Sequence, residues 1–126
     1  MLLDTHAVIW WFQGSRRLSR KAVEEVDRDG AAVFVSAVSA FEIALKHRLG
    51  KLPEASPLVG DFIAMLAGEG FEPLFLNMHH AIVAGGLPTQ HRDPFDRLLI
   101  AQALVENLTL VSNERLFDAT GVSRLW

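Results

Sequence analysis

The chain has 126 residues, half of them apolar and 21% charged, with a net charge of -3 and no cysteine. These values exclude a disordered tail, a disulfide scaffold, thiolate chemistry and any general attraction to nucleic acid, so such binding would need a local basic patch or a bound cation. The length suits one domain, residues 1–126, with a proper core.

Met1 to Asp4 reads as a short buried strand, and Thr5 as the cap of a helix running to about Gln13, with Gly14 as its stop. Ser19 caps RKAVEEVDR, which Gly30 ends. The run AAVFVSA (31–37) is apolar and β-branched, as expected for a strand buried on both faces. SAFEIALKHRLG follows as a helix, with Ser39 near its start and Gly50 just past its end. A loop with Pro53 and Pro57 leads into LVGDFIAMLA, predicted as one amphipathic helix. FEPLFL (71–76) reads as a third strand, placed at a sheet edge by Pro73. Asn77 caps a short helix ending at Gly85-Gly86. A helix over 94–106, a strand TLVS (109–112) and a last short strand near SRLW complete the chain. Strands alternating with helices through short connections predict an α/β fold around a mainly parallel sheet. The start MLLDTH lacks a signal peptide's basic region and long apolar stretch, and the longest apolar run, AVIWWF, is too short for a membrane span. A soluble, cytoplasmic protein with no membrane contact is therefore expected.

Ligands of open parallel sheets bind beyond the carboxyl ends of the strands. Asp4 ends the first strand, Glu42 lies about one turn into the helix after the second, and Asp93 and Asp96 open the helix before the fourth. Glu114 follows the fourth strand after Ser112 and Asn113. Each acid alone has a purely local reading, as a cap, a solvent-facing charge or a first-turn acid. Gathered in a partly buried cleft, they would repel and take up protons unless a cation neutralised them, and oxygen ligands select Mg²⁺ or Mn²⁺. The five histidines have no zinc-type spacing, and neither a phosphate-binding glycine loop nor a nucleophile elbow is present.

DTHAVIWW (4–11), VSAVSAFEIALKHRLGKL (35–52), HRDPFDRLLIAQA (91–103) and LVSNERLF (110–117) together resemble the PIN-domain ribonucleases. More narrowly, they resemble the toxins of VapBC-type toxin–antitoxin pairs. The resemblance covers essentially the whole chain in order. It implies a three-layer fold, with four to five strands between helices on both faces. It also implies a Mg²⁺ site cutting single-stranded RNA, a cognate antitoxin and frequent homodimers. Asp4, Glu42 and Asp96 match the family's recurrent acids. Where the family commonly has a fourth, Asp, this chain has Glu114, with Asn113 as the alternative and Ser112 in support. By this reading Asp93 chiefly builds the helix start while Asp96 serves the metal.

As a mechanism, the four acids Asp4, Glu42, Asp96 and Glu114 would hold Mg²⁺, which activates water against the scissile phosphate. Candidate phosphate contacts are Lys46, Arg48, His91, Arg92, Arg97 and Arg115, each with ordinary surface charge as the alternative. Three rival readings remain open. One is a phosphoacceptor signalling domain, which would need an Asp ending strand three, where Leu76-Asn77 stands. Another is a PIN-like binding module without catalysis, and the third is a metal-independent nuclease using His91. Val8 to Phe12 cannot all face one core, so one side of that helix is expected to form an exposed apolar groove for an antitoxin helix or a second subunit. The alternative is burial on every side.

Overall fold

A computed structural model describes all residues, 1–126. Five strands form one parallel sheet: β1 (Leu2–Leu3), β2 (Phe34–Ser36), β3 (Glu72–Leu74), β4 (Leu110–Val111) and β5 (Arg124–Leu125). Their spatial order is β3-β2-β1-β4-β5, so β3 lies at an edge, as Pro73 suggested. β1 is central because the chain first winds outward through β2 and β3, then returns to its other side for β4 and β5. That reversal opens a crevice at the carboxyl ends of β1 and β4.

The pleat divides the core between two faces. Leu3, Val35 and Val111 are mutually in register and point into one cluster, with Ala7, Val8, Ile9, Ala22 and Ile43. Leu2 and Leu110 point the opposite way, to Leu99, Ile100, Ala103 and Phe117. The helices are α1 (Thr5–Gln13), α2 (Arg20–Val26), α3 (Ala37–Arg48), α4 (Ser56–Gly60), α5 (Phe62–Gly68), α6 (Met78–Gly86) and α7 (Pro94–Val105). A 3₁₀ turn over Pro53–Ala55 precedes α4, and another over Arg115–Thr120 separates β4 from β5. No helix is long and apolar enough to cross a membrane.

Several local expectations change. Asp4, not Thr5, caps α1, accepting the Ala7 N–H at 2.7 Å, and Gly14 ends it in the left-handed region at φ 60°. α3 begins at Ala37, two residues before Ser39, and is capped by Ser36, whose Oγ accepts from Val38 N at 2.9 Å. α2 stops at Val26, short of Gly30. The expected helix over 58–67 is two helices, because Asp61 adopts φ -155° and ψ 54° between α4 and α5.

The expected groove on α1 is absent. Val8 and Ile9 are buried, and Trp10, Trp11 and Phe12 pack against the larger core cluster, with Trp11 and Phe12 both meeting Phe71. The sheet, α3 and the Phe71 segment cover the helix more fully than its sequence implied. Exposed apolar side chains lie elsewhere: Phe41 on α3, Ile63 on α5, Phe75 and Leu76 after β3, and Met78 and Ile82 on α6.

Candidate active site

A cleft of about 270 Å³ opens at the switch point and is lined by Asp4, Glu42, Asp93, Asp96, Asn113 and Glu114, with Thr5, His6, Trp10, Lys46 and Phe117. All four segments expected to contribute acids meet there. Asp4 arrives because β1 ends at Leu3, and its backbone N–H still pairs with the Val111 carbonyl at 3.0 Å. Its carboxyl is buried beside Ser112, and that burial raises its pKa to about 6, against the pull of the Ser112 hydroxyl and the Ala7 N–H. Asp96 is also pushed above the ordinary carboxylate range, first by burial and then by the charges of Asp93 and Glu42, while its bond to His91 works the other way.

Glu42 is 4% exposed and fully engaged. Thr5 Oγ1 donates to its Oε1 at 2.6 Å, and Lys46, one turn on, forms an ion pair with Oε2. Thr5 is also 3.1 Å from Ser39 Oγ, so the hydroxyls of α1 and α3 buttress this acid beneath the cleft. Asp93 behaves as the helix cap it was expected to be. Its Oδ1 accepts from Phe95 N at 2.9 Å and more weakly from Asp96 N at 3.4 Å. Glu114 caps the following 3₁₀ turn, taking Leu116 N at 3.1 Å, while its own N–H donates to Ser112 Oγ at 3.0 Å. Asn113 lines the cleft beside it, and both positions stay available to the site.

The basic residues sort differently from expectation. Lys46 is the counter-ion of Glu42 and not a free phosphate contact. Arg97 is spent on backbone: all five of its N–H groups donate to carbonyls, those of Ala84, Gly85, Leu87, Thr89 and His91, at 2.9 to 3.3 Å. It fastens the end of α6 and the loop after it, where a cation also suits the helix C-terminus. His91 holds Asp96, with 2.7 Å between Nε2 and Oδ2. Arg48, Arg92 and Arg115 are exposed. Sequence reasoning missed Thr5 as a support of Glu42, and His6, Trp10 and Phe117 as cleft walls. The i,i+4 spacing of Glu42 and Lys46 was the one available signal.

The family model for the PIN domain matches residues 1–122. The chain belongs to the PIN-domain family. This PIN domain is 30% identical over 116 residues to Ribonuclease VapC22 of Mycobacterium tuberculosis (strain ATCC 25618 / H37Rv), covering 91% of this chain and 87% of that protein. It is similar in fold to the crystal structure of VapBC2 from Rickettsia felis bound to a DNA fragment from their promoter. There the TM-score is 0.70 at 17% identity, over 98% of this chain and 96% of that one. A toxin–antitoxin complex from Klebsiella pneumoniae gives 0.69 at 17% identity, over 99% and 95%.

The acids of this PIN domain suit a hard divalent cation. The donors are oxygens, and Asp4 and Asp96 are pushed towards protonation by burial and, less, by neighbouring acids. No three His, Asp or Glu side chains stand close enough together to hold a metal ion between them. A cation here would therefore take one or two carboxylates directly and keep several waters, as Mg²⁺ does.

The capping bonds of Asp93 make a prediction. Asp93→Asn retains a capping side chain and should leave stability and cleavage near wild type. Asp93→Ala should cost about 1 kcal/mol in urea unfolding. Abolished cleavage in Asp93→Asn, with full cleavage in Asp96→Asn, would reverse the assignment.

Proposed function

We propose that this PIN domain is a Mg²⁺-dependent endoribonuclease, the toxin of a toxin–antitoxin pair, cutting single-stranded RNA in the acidic cleft. The observation that carries the reading is the meeting of Asp4, Glu42, Asp96 and Glu114, from four chain segments, in one cleft of a chain 30% identical to a ribonuclease. Asp4 and Asp96 would hold Mg²⁺ directly, and Glu42 with Glu114 or Asn113 would complete its surroundings; Mn²⁺ should substitute. When bound, the cation offsets charge on the scissile phosphate and lowers the pKa of water. The Lys46 ion pair and the Thr5 hydroxyl fix the orientation of Glu42. A carboxylate left free of the cation accepts the proton released in hydrolysis. Arg48, Arg92 and Arg115 are the exposed cations left to meet RNA phosphates, since Lys46, His91 and Arg97 are engaged within the chain.

Similarity to a toxin–antitoxin complex supports a cognate antitoxin as partner. The exposed apolar residues Phe41, Ile63, Phe75 and Leu76 supply surface for that antitoxin or for a second copy of the chain.

The pairing of His91 with Asp96 keeps one rival worth testing, a nuclease in which His91 and a carboxylate deprotonate the RNA 2′-OH. The test is end-group analysis of a short RNA digest with and without EDTA. Hydrolysis through the acidic site leaves 5′-phosphate and 3′-hydroxyl ends, stops in EDTA and returns with Mg²⁺ or Mn²⁺, but poorly with Ca²⁺. Cyclic 2′,3′-phosphate ends formed in EDTA would sink the metal reading.

A further inference from the structure

We infer that His91 is a positioning residue for Asp96, held in place by Arg97; the inference rests on the metal reading above. The imidazole is 15% exposed and fixed on two sides. Nε2 lies 2.7 Å from Asp96 Oδ2, as the donor whenever Asp96 is ionised, and the ring meets buried Phe117 edge-on, with centroids 5.5 Å apart at 77°. The backbone of His91 is fixed as well. Its N–H reaches Thr89 Oγ1 at 3.2 Å, and its carbonyl accepts from Arg97 Nη1 at 3.0 Å. Asp96 and Arg97 are adjacent in α7, so the turn that carries the acid also fastens the loop that returns to orient it.

A carboxylate rotates easily about its last torsion, which has broad minima. The bond from Nε2 commits one oxygen of Asp96, while Oδ1 makes no hydrogen bond within the chain. The free oxygen is thereby held towards the cleft. While Nε2 is engaged by Asp96, that nitrogen serves neither as a metal ligand nor as a donor to RNA. Removing a group that orients a ligand typically costs 10–100-fold in metal affinity or activity.

The test is Mn²⁺ binding to the full chain, followed by electron paramagnetic resonance, alongside kcat and KM for RNA cleavage. Wild type is compared with His91→Ala, His91→Gln and His91→Asn. A glutamine amide nitrogen has nearly the reach of imidazole Nε2, an asparagine nitrogen that of Nδ1. His91→Ala should weaken Mn²⁺ binding about 10–100-fold and lower kcat with little change in KM. Gln should restore most of both, and Asn should not; this comparison decides even if the Ala variant fails to fold. Unchanged Mn²⁺ affinity with a raised KM would make His91 an RNA contact and overturn the inference. Equal losses in the Gln and Asn variants would also overturn it. A wild type that binds no Mn²⁺ would remove the metal reading itself, and this inference with it.

Discussion

Asp4→Asn should abolish cleavage and make the metal-free protein more stable. Both effects come from one buried carboxyl. Burial raises its pKa from 3.8 to about 6, so the folded state binds this proton more tightly than the unfolded chain does. The linkage has a definite sign: between the two values the native state carries more protons, so stability falls as pH rises from about 4 to 6. Above pH 6 the full cost of ionised Asp4 is present, on the order of 3 kcal/mol for two pKa units. Asn has nearly the same shape and still caps α1, so the swap removes the charge and keeps the Ala7 bond. At pH 7 in EDTA the variant should gain about 2 kcal/mol, or roughly 5–10 °C in Tm. At pH 4 the gain should almost vanish, because wild-type Asp4 is then protonated in the native state. Mg²⁺ should narrow the gap at pH 7 by stabilising only the wild type. Cleavage should fall at least about 100-fold, the usual scale for losing a group that acts on the transition state. Asp96→Asn should lose activity equally. Thermal melts across pH with a parallel RNA assay check all of this, and a variant that cleaves like wild type would remove Asp4 from the site.

Arg97→Met should be the most damaging single change outside the hydrophobic core. It keeps much of the apolar stem but deprives five carbonyls, from Ala84 to His91, of a charged donor at once. Bonds to charged groups are worth more than neutral ones, and water can reach only some of the orphaned carbonyls. The expected cost is about 3 kcal/mol, seen as a lower urea midpoint. Hydrogen exchange should rise selectively in the last turn of α6 and in residues 87–91. Arg92→Ala, at an exposed neighbour, is the control and should stay within about 0.5 kcal/mol. Equal stability of the two variants would show that the guanidinium bonds contribute nothing net.

That arginine also shows where sequence stops being legible. The strands, the sheet edge at Pro73 and the helices opening at Ser19, Asn77 and Asp93 could be read because caps, glycines and apolar runs have fixed local meaning. Which of two adjacent capping residues is used could not be, since both Asp4 and Thr5 suit the role and only backbone angles choose. Periodicity ran straight through Asp61, where the chain breaks a helix. The acids were legible because a strand's carboxyl end is a defined place in a parallel sheet. The partners of Arg97 were not, because they are carbonyls, which every residue carries. The partial burial of Trp10 and Trp11 was hidden likewise, since their neighbours, Trp126 and Phe71, come from distant parts of the chain.

The shortness of the outer strands limits how this protein can be regulated. One margin of the sheet ends in β3, three residues with a proline in the middle, and the other in β5, only two. An incoming peptide would find too few rungs to build on, and at Pro73 no amide hydrogen at all. Strand addition at either edge is therefore disfavoured as a way of binding an inhibitor. An inhibitor is better recognised through the shapes of its side chains. Proline substitutions scattered along a bound inhibitor should then be tolerated wherever it is extended, while truncating one or two large apolar anchors should release it.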